Sequence, residues 1–143
     1  MHANMRHASR CFGLPCLLVW LAVPGCSGKK HIVDRNDLGD QINVAISVAS
    51  ETVFLTKLIA TGKTTPTFIE AHRTYLEKEV QEVQKQLQEL QPAPGSEQVF
   101  HEFSQRVDEL QTMVEKLPSH ASSELAAVQA RCAELKHSMQ DLK

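Results

Sequence analysis

"LEKEVQEVQKQLQEL", residues Leu76 to Leu90, decides the fold. Its aliphatic residues stand at positions 76, 80, 83, 87 and 90, spacings of four, three, four and three. A helix with 3.6 residues per turn brings those positions onto one face. The positions between them hold Glu, Gln and Lys, which keep to water. A single helix cannot bury its own apolar stripe, so this one predicts further helices packed against it in a coiled-coil-like seam.

Upstream, Ile69 carries the stripe back one more step. Thr65-Pro66 opens the helix, a capping hydroxyl followed by proline at the first helical position. Before it, residues 38–61 place Ile42, Ala45, Ile46, Ala49, Val53 and Leu58 near helical spacing. Gly62 marks the stop. "INVAISVA", Ile42 to Ala49, also alternates as a strand does, but no obvious partner strand follows, and helix is the reading retained. Glu51 and Lys57 argue against a membrane span here.

Downstream, "QPAPGS", Gln91 to Ser96, interrupts the pattern with two prolines and a glycine. The four-three rhythm then resumes. A third stripe holds Phe100, Phe103, Val107, Leu110, Val114 and Leu117; a fourth holds Leu125, Val128, Cys132, Leu135, Met139 and Leu142. Pro118 stands between them, with Ser119 and Ser122 as new caps. The stripe also runs on from Leu117 through Ala121 to Leu125, so one long kinked helix is the alternative to a hairpin. Short connections favour antiparallel neighbours. The expected class is all-α, an antiparallel up-down four-helix bundle over residues 38–143, with Phe54, Phe68, Phe100 and Phe103 in its core.

The N-terminal segment is of another kind. "MHANMRHASR" carries Arg6 and Arg10 and no acid, and Cys11 to Val23 carries no charge. Thirteen residues, broken by Gly13 and Pro15, fall short of the roughly 20 that span a bilayer. A basic start, a short apolar run and a small residue at the break mark an export signal. The break reads Val23-Pro24-Gly25-Cys26, which resembles the lipobox of bacterial lipoproteins. The resemblance covers about 26 residues. It implies cleavage after Gly25, diacylation of the Cys26 sulfur with fatty acids such as palmitate, and membrane anchoring. Ser27 after that cysteine implies release to the outer membrane, facing the periplasm. The domain reading is then a signal peptide (1–25), a flexible polar tether (26–37) and the bundle. Twelve extended residues reach about 40 Å.

Without residues 1–25 the chain keeps 13 basic residues against 17 acidic ones, a net charge of about −4. That balance excludes a nucleic-acid surface. Of the cysteines, Cys132 alone lies in the bundle, on its buried stripe, where it acts as a small hydrophobe.

The candidate ligand residues are few. Glu134-Leu135-Lys136-His137 matches Glu-x-x-His, which di-iron bundles use twice. It occurs once here, and Glu134, His137 and Asp141 point about 200° away from the core stripe. Glu97 and His101 are spaced as an ordinary helix-surface pair. His72 lies on the core flank of the second helix, where a neighbouring carboxylate or carbonyl is its expected partner. "TGKTT", Thr61 to Thr65, lacks the glycine at position 57 that a phosphate loop requires. No catalytic grouping stands out and no cofactor is expected. The function expected is that of a lipid-anchored structural or protein-interaction module with an envelope partner, a homo-oligomer remaining open. The alternative is a bundle binding metal or haem through His72, His101, His137 or Glu134.

Overall fold

The computed structural model describes residues 30–34, 36–118 and 120–143. The signal-peptide, cleavage and Cys26 lipidation readings, and the capping role of Ser119, lie outside these residues. Six elements follow in order: β1 (His31–Val33), α1 (Gly39–Ala60), α2 (Pro66–Glu89), β2 (Leu90–Pro92), α3 (Glu97–Glu115) and α4 (Ser123–Gln140).

Several boundaries have a local cause, although Ser122, expected as a cap, stands at the N-terminal cap position of α4 without a side-chain cap hydrogen bond. Asp34 turns the chain from β1 into α1, its carboxylate accepting the N–H groups of Asn36 at 2.8 Å and Asp37 at 2.9 Å. α1 ends in a left-handed glycine: Gly62 has φ +63°, its N–H reaches Ile59 O, and Lys63 N–H reaches Leu58 O. This is the paired closure that satisfies the last helical carbonyls. Thr65 Oγ1 then accepts the Phe68 N–H at 3.2 Å, with Pro66 behind it, as the sequence required. Between β2 and α3 the chain reverses through Ala93-Pro94-Gly95-Ser96. Ser96 N–H donates to Ala93 O at 2.9 Å, and Gly95 takes φ +90°, the third position of a type II turn.

The helices form a four-helix bundle in which α1 packs on α2 and α4, and α3 on the same two. Contacts across helices set their direction. Glu51 meets His72, Gln84 meets Asp108, Arg131 meets Glu109, and Lys143 meets Asn43. In each pair, moving forward on one helix means moving backward on its neighbour, so all four neighbours are antiparallel. α3 and α4 are separate helices, which resolves the alternative of one long kinked rod in favour of the hairpin.

The core is almost wholly aliphatic. Leu38, Ile42, Leu55, Leu76, Leu110 and Phe103 are completely withdrawn from water. Each such side chain contributes about 1.5–3 kcal/mol of transfer free energy. The stripes read for α2, α3 and α4 are the buried ones: Ile69, Leu76, Val80, Val83 and Leu87; Phe103, Val107, Leu110 and Val114; Leu125, Val128, Cys132, Leu135 and Met139.

Four features depart from the sequence reading. First, residues 31–33 are not tether. β1 pairs in parallel with β2, His31 against Leu90 and Val33 against Pro92, and Ala93 N–H donates to Val33 O at 2.8 Å. Val33 is buried at the end of the core. Three residues are too short for any period to show, and the partner lies some sixty positions away. Second, Leu90 leaves the α2 stripe for β2, because Pro92 stops the helix before it. Third, the buried face of α1 is Ile42, Ala45, Val48, Ala49, Thr52, Leu55, Thr56 and Ile59, so Ile46, Val53 and Leu58 move to its margin. Thr52 and Thr56 are buried because their hydroxyls donate to Val48 O at 2.8 Å and Val53 O at 2.7 Å. Fourth, Phe54 and Phe68 are exposed, at 57% and 46%.

By length and composition α1 could also cross a membrane. Within the bundle its apolar residues make up the core-facing surface.

Two substitutions test these points by urea or thermal unfolding. Val33→Asp places an unpaired carboxylate in the core and is expected to lower stability by about 2 kcal/mol or more, whereas a true tether residue would tolerate it. Gly62→Ala meets nothing with its new methyl, yet the left-handed backbone costs about 1–2 kcal/mol.

Candidate functional site

The seam between α1 and α2 carries the most distinctive surface. On α2, Phe68, His72, Tyr75 and Glu79 follow one another by four, three and four residues. This second stripe runs beside the core line and lies about 80° from it round the helix. Its side chains therefore emerge on the flank where α2 meets α1. Phe68 and His72 stack with ring centroids 5.5 Å apart and planes 9° apart; His72 and Tyr75 follow at 5.7 Å, tilted by 41°. His72 Nε2 lies 3.5 Å from Glu51 Oε2 on α1. That carboxylate holds the half-buried ring, which is the boundary role the sequence assigned to His72.

α1 carries another exposed ring. Phe54 lies one turn beyond Glu51 toward the 61–65 turn, as Phe68 lies one turn beyond His72. The two rings stand at the same level of the bundle, Phe68 on the seam flank of α2 and Phe54 on the outward face of α1, about 170° from its buried line. Tyr75, 46% exposed, lies further along the seam. Its phenol is pushed up from the ordinary range by Glu79 first, Glu51 second and partial burial third. Negative potential therefore gathers at this end of an apolar strip.

The expectation that Phe54 and Phe68 belong to the core is corrected here. Each precedes a buried residue, Leu55 and Ile69, which takes the inward position. Phe103 is fully buried and Phe100 partly so. The missed signal was the second spacing on α2, legible once the stripe from Ile69 to Leu87 is subtracted.

The remaining candidates are scattered. His101 is exposed, with Nε2 3.0 Å from Gln105 Nε2, while Glu97 accepts the Gly95 N–H at 2.7 Å. The anticipated Glu97–His101 surface pair gives way to these local contacts, because the turn before α3 offers Glu97 a fixed donor. Glu134 is taken by Arg131 Nη1 at 2.8 Å, and the same guanidinium reaches Glu109 on α3. Both bonds push the Arg131 side chain further toward its charged form. His137 and Asp141 are exposed, on the outward face the helix period gives them. Among the described residues no three His, Cys, Asp or Glu side chains come close enough to share a metal ion.

The Gln/Glu-rich face of α2 is partly used within the molecule: Gln84 Nε2 donates to Asp108 Oδ1 at 2.8 Å across to α3, and Gln86 to Glu82 at 3.1 Å. Cys132 is buried, and its thiol is pushed up to about 12, by loss of water first and Glu109 second.

No protein-family model, no curated protein and no solved structure matches this chain.

A raised thiol makes a signed prediction. The folded state holds the Cys132 proton more tightly than the unfolded chain, so its stabilising effect is complete below about pH 9. It is lost as pH rises from there toward 12, where the unfolded chain ionises first. Cys132→Val should therefore flatten the fall of melting temperature between about pH 9 and 11. Maleimide labelling of the native protein near pH 8 should be at least about a hundredfold slower than in denaturant.

Proposed function

We propose that the chain is a lipid-anchored helical module of the bacterial cell envelope, held to a membrane through Cys26 and acting by contact with another envelope protein. The observation that carries this reading is the order of residues 1–26. Arg6 and Arg10 come first, a charge-free run from Cys11 to Val23 follows, and a small residue precedes a cysteine. A thiol at such a junction is the acceptor in lipoprotein maturation, and more than one acyl chain is needed for durable anchoring. Ser27 favours the outer membrane, with the body in the periplasm.

The bundle supports an interaction role in a further way. Its core is lined by aliphatic side chains, and the hydroxyls of Thr52 and Thr56 are bonded within α1, while the rings of Phe68 and Tyr75 stand half exposed along the α1–α2 seam. Exposed contiguous apolar surface of that kind marks contact sites. What the body offers other molecules therefore lies on its outside.

The test is metabolic labelling of the full chain, expressed in a bacterium, with radioactive palmitate. The wild-type chain is expected to take up label, to run as a form shortened by 25 residues, and to fractionate with membranes. Cys26→Ser should be unlabelled and uncleaved at this site. A mature protein beginning at Met1, or an unmodified Cys26 thiol in the wild type, overturns the reading.

A further inference from the structure

We propose that the α1–α2 seam is a docking face for a basic amphipathic helix of a partner protein, whose Arg or Lys side chains insert between Phe68 and Tyr75. The inference rests on the interaction-module reading and adds the site and the chemistry of what fills it.

Three observations carry it. The first is composition. Of the five aromatic residues from Lys30 onward, Phe54, Phe68 and Tyr75 are each close to half exposed or more, and Phe68 and Tyr75 lie on this seam. Rigid aromatic side chains are the residues that anchor protein interfaces, because they bury much area for little lost freedom. Leaving them in water costs free energy that a partner would recover.

The second is shape. The strip runs from Phe68 to Glu79, three turns of α2 and about 16 Å. Exposed Val44 on α1 continues it beyond Tyr75. The seam is the line along which two antiparallel helices meet. That geometry suits a third helix laid along it rather than a small molecule.

The third is charge. Glu51 and Glu79 lie on the seam side of their helices, both close enough to Tyr75 to act on its phenol. Lys57 and Lys78 lie about 120° and 100° round their helices from Glu51 and Glu79, outside the strip. Arg73 faces the other flank of α2, bound to Glu70 at 2.7 Å and near Glu77 at 3.6 Å. The floor of the strip is thus aromatic and acidic, with these basic side chains outside it. A cation laid over the ring faces, with a carboxylate beside it, meets both attractions at once. A partner helix with acids along its centre meets repulsion there.

The test uses the full chain in the bacterium that expresses it. A photoreactive benzoylphenylalanine is placed at position 71, whose exposed Ala71 lies on the outer margin of the strip, one helical turn from both Phe68 and Tyr75. A second chain carries it at position 98, at the start of α3. The expected result is an adduct from position 71 and not from 98, mapped by mass spectrometry to a segment of another protein with helical spacing and a net positive charge. In the position-71 chain, Glu51→Lys with Glu79→Lys should cut the yield about tenfold or more, as should Phe68→Ser with Tyr75→Ser. All four residues are exposed or half-exposed, so circular dichroism and melting temperature should stay near wild type.

No adduct, an adduct equal at both positions, capture of a second copy of this chain or of lipid, or a partner segment that is neutral or acidic each overturns the proposal. Palmitate labelling of the same cells keeps the two readings apart. A labelled chain with no adduct removes the docking face and leaves the anchored module standing. An unlabelled chain removes the anchor whatever position 71 captures.

Discussion

The contact between α1 and α4 closes the molecule. Each hairpin, α1–α2 and α3–α4, would by itself leave an apolar face open to water. The first and last helices meet in the most extensive helix contact of the bundle. On the inner face of α1, Ala45, Ala49, Thr52 and Thr56 keep the side chains short, which lets a neighbouring axis approach closely. The threonines are tolerated because each hydroxyl finds a carbonyl on its own helix, so neither is left wanting a partner in the core. On α4, Cys132 is a small residue of the same kind, and its raised thiol reflects how dry that packing is. The contact joins elements some eighty residues apart, and the closed core depends on it.

That arrangement explains which parts of the fold could be read from the chain. α2, α3 and α4 face the core along one line each, and a line of Leu, Val and Phe at four-three spacing is visible without any neighbour. α1 touches α2 and α4 and lightly meets α3, so its buried arc is broad, and small or hydroxylated residues share it. Hydrophobicity alone then misplaces its edges, as Val53 and Leu58 show. β1 and β2 are the opposite case: their pairing is set by where α1 begins and α2 ends, and nothing local in "HIV" announces a strand.

The seam was obscured by a different competition. Phe54 and Phe68 are the most hydrophobic side chains in their neighbourhoods, and a count of apolar area sends them inward. Periodicity sends Leu55 and Ile69 inward instead, and periodicity wins because inward positions are set by the backbone turn and not by side-chain size. His72 fitted both arguments, since a flank position beside a carboxylate is what its amphipathic ring prefers. Two of the three exposed aromatics were thus assigned inward because burial was argued residue by residue, where the spacing of the whole stripe decided it.

The added strand also changes the geometry of the proposed anchor. With His31–Val33 folded against β2, the leash between an acylated Cys26 and the body is residues 26–30, about 17 Å at full stretch in place of about 40 Å. The sheet end of the bundle would then be held near the bilayer surface. Phe54 lies about 22 Å along α1 from the start of that helix, toward the opposite end. Were the chain anchored as proposed, rings at that end would stand away from the lipid and be poorly positioned to enter the membrane. A partner reaching toward that membrane would meet them there, and so short a leash would confine the encounter to a thin layer, raising the effective concentration of one for the other.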